Sequence, residues 1–167
     1  MNKSNYKLYP AKISVFLFLA ACLFSFSGCF GESEITETEV LEVINKIDTA
    51  AQNKDADAIV ANMAERAQLK ATVTALGQTQ TLSYNRDQYR DVVKKAFAVA
   101  GSYSHNRQNM QVKIAPDGKT AMVISEETES MTLNGQEIRT TQNSVSSFVR
   151  ENGKLVILFN ETNGKLL

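Results

Sequence analysis

The residues with chemistry to offer are few. One histidine, His105, stands in the polar run Ser104-His105-Asn106-Arg107-Gln108. A lone imidazole excludes a metal centre built on several histidines, and any nucleophilic triad would have to be assembled around it. Its polar neighbours predict an exposed, freely titrating ring. The second feature is Glu126-Glu127-Thr128-Glu129, a set able to act as a general base or to hold a cation. Alternate residues of a strand face opposite sides, so Glu127 and Glu129 share a face and Glu126 takes the other. A solvated strand end is the plainer expectation for such a run. Three tyrosines, Tyr84, Tyr89 and Tyr103, flank one amphipathic segment; they could line a pocket mouth or pack in the core with the hydroxyl at its edge. The chain has no glycine loop for phosphate, no Cys-His metal spacing and no Gly-x-Ser-x-Gly elbow. No catalytic residue, metal or cofactor is assigned from this inventory.

The element that must position these groups is a meander from Tyr103 to Thr162, punctuated by Pro116-Asp117-Gly118, Asn134-Gly135 and Asn152-Gly153. Asn-Gly suits a two-residue hairpin because both central residues take positive φ. The intervening runs, Met110 to Ile114, Thr120 to Leu133, Gln136 to Glu151 and Lys154 to Thr162, are rich in Val, Ile, Thr and Phe and read as four strands. The two tight turns set a register, pairing Leu133 with Gln136 and Glu151 with Lys154. Counting back, one face holds Ala121, Val123, Phe148, Ile157 and Phe159, and the other Met122, Ile124, Val145, Val149, Val156 and Leu158.

The face with Phe148 and Phe159 is assigned to the concave side, because large aromatics best fill the space under a covering helix. On it the register puts Glu127 opposite Gln142, Ser125 opposite Ser144, and Ser144 opposite Glu161. Polar groups thus converge mid-sheet between Met131 and Ile138 on one side and the two Phe on the other, as in a pocket lining. Glu127 is expected to be desolvated, with a raised pKa. A bulge in a long strand would instead bring Glu126, Asn143 and Asn160 inside. The opposite apolar face, if left in water, predicts a homodimer through the sheet.

Ahead of the meander the spacing predicts three helices and a hairpin. Thr36 and Glu39 form a capping box, and Val40, Ile44, Ile47 and Ala51 follow at helical spacing. Asp55 caps a shorter helix carrying Ile59, Val60 and Met63. From Ala67 the period becomes two, Gly77 turns the chain, and Thr79 to Tyr84 returns. Asn85 caps a third helix, with Gln88 at its third position and Tyr89, Val92, Val93, Ala96, Phe97 and Ala100 on one face. Gly101 ends it.

The 167 residues, 43% apolar and 22% charged, suit one domain behind a targeting segment. Lys3, Lys7 and Lys12 precede an apolar run from Ile13 to Phe26 that is too short for comfortable spanning. Next, Phe26-Ser27-Gly28-Cys29 resembles the lipobox of bacterial lipoproteins, with Phe26 where Leu is commonest. The resemblance implies a signal peptide over 1–28, a lipid on Cys29, a tether over 29–34 and a domain over 35–167. The partner so implied is a membrane, reached through that lipid. The expected location is the bacterial envelope, on the outer membrane facing the periplasm. Loss of 1–28 removes three of the 18 Lys and Arg and none of the 18 Asp and Glu. The mature chain is mildly acidic, without the basic and aromatic patches that bind nucleic acid. Cys22 leaves with the leader and Cys29 takes lipid, so no disulfide is expected.

The order of helix, helix, hairpin, helix and long curved meander resembles the nuclear transport factor 2-like superfamily, which includes ketosteroid isomerase, scytalone dehydratase and polyketide cyclases. Its local marks are Asn53-Lys54-Asp55-Ala56-Asp57-Ala58 and Ser83-Tyr84-Asn85-Arg86-Asp87. The resemblance implies an α+β cone, with three N-terminal helices on a strongly curved antiparallel sheet and a pocket between them. Such a fold serves binding proteins and enzymes alike. The leading expectation is a non-enzymatic domain that binds a small apolar molecule or a protein partner. The alternatives are a cofactor-free isomerase, dehydratase or cyclase, or an accessory subunit of an envelope transport or secretion assembly. The residues expected to line that pocket are Tyr84, Tyr89, Tyr103, Glu127, Gln142, Ser144, Phe148 and Phe159.

Overall fold

Thr36 caps the first helix of the described chain, residues 33 to 167 of a computed structural model. Its hydroxyl accepts from the Glu39 amide at 3.3 Å, and the Glu39 carboxylate accepts from the Thr36 amide at 2.9 Å, closing the expected capping box. The leader and Cys29 lie outside the described residues. Helix α1, Glu37–Gln52, buries Val40, Val43, Ile44, Ile47, Ala50 and Ala51. Asn53 and Lys54 end it, and the Asp55 carboxylate caps α2, Ala56–Val60, by accepting from the Ala58 amide at 2.9 Å. Met63 corrects the sequence reading: it is not on this helix. The Ile157 amide donates to the Asn62 carbonyl, Met63 pairs with Ile157, and the chain is drawn into a strand.

That strand, β1, Met63–Ala75, turns at Leu76-Gly77 into β2, Gln78–Asn85. Both turn residues have positive φ, 51° and 77°. Asn85 and Gln88 cap α3, Arg86–Val99, reciprocally. The remaining strands are β3, Tyr103–Ile114, β4, Thr120–Leu133, β5, Gln136–Glu151, and β6, Lys154–Leu166. They form one six-stranded sheet in the order β2-β1-β6-β5-β4-β3, antiparallel except where β1 lies parallel to β6.

The Asn-Gly turns take φ of 51° and 79° at 134–135 and 52° and 75° at 152–153, and they set the predicted register. Two departures from the sequence reading matter for the site. First, β3 begins at Tyr103 rather than Met110, because the polar run pairs fully with β4 up to a break after Gln108. Second, the β5–β6 register shifts between Ser147 and Phe148, a bulge that places Leu158 outside the pairing. Beyond the bulge Phe159 pairs with Ser147, so it points to the outer face, and Ser144 meets Thr162 rather than Glu161. The bulge leaves β4 and β5 in register. Of the alternative inner set, only Asn160 comes inside; Glu126 and Asn143 remain exposed on the outer face.

The core lies between α1, α2 and the closed end of the inner face, where Ala121, Val123, Phe148 and Ile157 are all buried. Of the outer face, Val156 is buried, Ile124, Val145, Val149 and Leu158 are half-buried, and Met122 is exposed. Helix α3, despite the clearest apolar stripe in the sequence, has no buried residue. Its stripe lines a cavity, with Tyr89, Val93 and Phe97 packed only partly against the core.

Candidate functional site

Strand pairing assembles the site. His105 lies opposite Glu129 and Arg107 opposite Glu127, while β5 sets Gln142 opposite Glu127 from the other side. Alternation turns all of these inward. Asp48, in the last turn of α1, comes down onto the same spot. Arg107 holds it with a two-nitrogen fork, Nη2 to Oδ1 at 3.0 Å and Nε to Oδ2 at 3.2 Å. The same guanidinium uses Nη1 to bond Ser125 Oγ at 2.9 Å and the Glu127 carboxylate. Glu127 also accepts from Ser125 at 3.2 Å and from Gln142 at 3.0 Å.

His105 sits between two carboxylates. Its Nε2 is 3.4 Å from Glu127 Oε2, and its Nδ1 is 3.5 Å from Asp48 Oδ1 without making a hydrogen bond there. With 9% of its surface exposed, it is buried, contrary to the sequence expectation. The error followed from starting β3 too late: a histidine in a loop is solvated, whereas one on an inward strand position is not. Glu127 and Glu129 are likewise not a solvated strand end, although Glu126 is exposed. Glu127 is 6% exposed and Glu129 is half-buried beside the Tyr103 hydroxyl, which donates to it at 3.3 Å.

The charges follow from these contacts. Burial pushes the Glu127 pKa up, but the His105 hydrogen bond and the Arg107 charge outweigh it and bring the value down to about 2. The expectation of a raised value for Glu127 is therefore corrected. It is a fixed anion and makes a poor proton carrier near neutral pH. For His105 burial lowers the pKa, yet Glu127 and Asp48 together raise it, favouring the imidazolium. Glu129 is raised, chiefly by burial with Glu127 nearby adding to it, so this is the carboxyl prepared to hold a proton. Tyr89 and Tyr103 are both raised by burial and stay neutral.

These groups form the floor of a cavity of about 310 Å³ between the sheet and the helices. Its walls are apolar: Ile44, Ile47 and Ala51 from α1, Val93, Ala96 and Phe97 from α3, and Leu69 and Met131 from the sheet. Phe97 packs edge-on against Tyr103 with ring centres 5.0 Å apart. Of the residues selected from sequence, Tyr84, Tyr89, Tyr103, Glu127 and Gln142 line this space. Ser144 is buried beneath it, accepting from Asn160 at 3.0 Å, Phe148 is sealed in the core, and Phe159 is on the far face. Asp48 and Arg107 were missed as site residues. The signal for Asp48 was present: it lies four residues after Ile44 and next to Ile47, a carboxylate at the border of an apolar stripe. Arg107 shares strand parity with His105 once β3 is extended.

No protein-family model matches the chain, and no curated protein matches it. Solved structures do. A candidate scytalone dehydratase from Novosphingobium aromaticivorans aligns with a TM-score of 0.60 at 12% identity, over 75% of this chain and 80% of the other. An NTF2-like protein of unknown function from Pseudomonas putida gives 0.61 at 14%, over 78% and 89%. The hexachlorocyclohexane dehydrochlorinase LinA-type3 from Novosphingobium barchaimii gives 0.57 at 13%, over 77% and 84%. At these identities the likeness is one of fold, and the fold this chain carries is the NTF2-like α+β cone.

Proposed function

We propose that the domain binds a small, mainly apolar molecule in the cone, with the polar part of that molecule resting on the charged floor. The observation that carries this reading is the pairing of an apolar-walled space with a floor of buried, mutually bonded ionic groups. A floor needed for stability alone would gain little from charges, since buried ion pairs are often replaceable by apolar residues at no loss. Lipid on Cys29 would hold the domain at a bacterial envelope membrane. A naphthylamine-type fluorescent probe tests the pocket. It should bind the wild type and fail to bind Ala96→Phe, which fills the space from α3 while leaving the fold cooperative. Equal probe binding by both proteins would refute the reading.

A second reading, acid–base catalysis of elimination or isomerisation, draws on Glu129 and His105. Glu129 is placed to take a proton from a carbon acid and the His105 imidazolium to give one to a departing group. The scytalone dehydratase and dehydrochlorinase descriptions of two fold neighbours suit that chemistry. Turnover of hydroxylated or halogenated ring compounds that disappears in Glu129→Gln, with probe binding retained, would establish it over simple binding. Absence of turnover across such a panel counts against it.

A further inference from the structure

The spacing between His105 and Glu127 is unusual for what it joins. An imidazolium and a carboxylate in direct contact form a charge-assisted hydrogen bond of about 2.7–2.9 Å. Here Nε2 and Oε2 stand 3.4 Å apart although both side chains are buried and held. Two metal bonds of about 2.1 Å meeting at a tetrahedral angle separate their donor atoms by about 3.4 Å. One ligand atom each from His105, Glu127 and Glu129 lies within 4.8 Å of the others, a gap that side-chain adjustment can close onto one ion.

We propose that His105, Glu127 and Glu129 form a three-ligand site for a zinc-like divalent metal ion, with its remaining position open to the cavity. A second, independent observation supports this. Among the described residues the buried His105 Nδ1 has no hydrogen-bond partner, and it faces Asp48 Oδ1 at 3.5 Å. A metal-bound histidine characteristically donates its other ring nitrogen to a carboxylate, which fixes the tautomer and sharpens the ligand. Asp48 is the outer carboxylate of that arrangement. The rest of the shell is also in place. Arg107 occupies Glu127 Oε1 and both Asp48 oxygens, Gln142 steadies Glu127 Oε2 while leaving it a lone pair, and Tyr103 steadies Glu129 Oε1. Asp48 offsets the Arg107 charge, leaving two glutamates to offset a dication. One imidazole with two carboxylates suits zinc better than magnesium or calcium, which prefer oxygen alone.

The site shares its floor with the proposed pocket but depends on no ligand binding there. When the ion is bound, His105 is a ligand and not a proton donor, so the acid–base reading belongs to the metal-free protein. The test uses the full-length chain, stripped with chelator and titrated with zinc against a chromophoric competitor. One zinc per chain at micromolar affinity or tighter is expected, with a rise in thermal midpoint. Cobalt in place of zinc should give the intense visible bands of four- or five-coordinate geometry. Glu129→Gln keeps the Tyr103 bond and should fold; it should lose at least tenfold in zinc affinity. Asp48→Asn should lose about 10–100-fold as an outer-shell change. Substoichiometric zinc, or affinity unchanged in Glu129→Gln, would overturn the proposal. The naphthylamine probe, measured with chelator present, reports on the pocket separately, so either idea can fail while the other stands.

Discussion

Two stretches of the same inner face are equally dry and held in opposite ways. At the closed end Val123 and Phe148 are 1% and 0% exposed, as members of the apolar core. Two and four residues further along β4, Ser125 and Glu127 are 2% and 6% exposed, and each is bonded to other polar groups. Burial therefore does not distinguish core from site here; partnership does. The closed end is stabilised by area and shape, which many apolar side chains can supply. The charged floor is stabilised by mutual satisfaction, and each member that leaves exposes the cost of the others.

The sharpest way to break this comparison is to remove Arg107. Arg107→Ala strands the buried Glu127 and the half-buried Asp48 without their shared partner, and a loss of about 3–5 kcal/mol is expected in chemical denaturation. Glu127→Gln is subject to the same logic. It unseats Arg107 and His105 together, so its effect on ligand binding cannot be separated from its effect on the fold. If Arg107→Ala unfolds at nearly the wild-type denaturant concentration, the floor is not the coupled unit described.

A smaller loss should appear with acid, measured on chelator-treated protein. Glu127 has a folded pKa depressed from 4.5 to about 2, so its contribution is complete above 4.5 and disappears as pH falls toward 2. His105 has a folded pKa raised above 6.5, so its contribution is complete below 6.5 and fades as pH rises through the folded value. Glu129, raised by burial, loses its contribution as pH rises above 4.5, so stability should be greatest near that value and fall on both sides. A closed-end variant provides the contrast. Phe148→Leu should cost only about 1–1.5 kcal/mol, as a swap of one apolar side chain for a somewhat smaller one, and should leave the pH profile unchanged. A shifted acid limb in Phe148→Leu would mean that the two regions are not independent.

The closed end was largely legible in the sequence, and the floor only in part, for a physical reason. Helix caps, Asn-Gly turns and alternation are local signals, and they placed Thr36, Asn85, Ala121, Val123, Glu127 and Gln142 where the structure has them; Phe148 was given the right face but lies in the core rather than along the pocket. The floor is made by elements far apart in the chain. Asp48 and Arg107 meet across 59 positions, and neither stands in a motif. His105 was misread because a run of polar residues resembles a loop unless its partner strand is known to supply partners for it. Phe159 was misplaced because a single bulged residue, invisible in composition, reverses every side chain beyond it.

Gly164 links the two themes and gives the smallest effect. It pairs with Gln142 on β5, the residue that steadies Glu127, and a Cβ added there would stand 3.1 Å from Gln142 Cβ and 3.3 Å from Thr140 Cγ2. Replacing a strand glycine by alanine recovers about 0.5–1 kcal/mol of chain entropy. Crowding a packed site costs about 1–3 kcal/mol; the Gln142 and Thr140 side chains can yield, but the third neighbour, the Thr141 carbonyl oxygen at 3.3 Å, is backbone. The two terms cancel in part, so Gly164→Ala should lower stability by about 1 kcal/mol. Its effect on the floor should be out of proportion to that. Displacing Gln142 loosens a neutral donor to Glu127 Oε2, which should weaken zinc binding or, without metal, move the acid limb of the stability profile to higher pH. A Gly164→Ala protein of near wild-type stability with both properties unchanged would show that Gln142 tolerates the push, and that the floor is held by its charges alone.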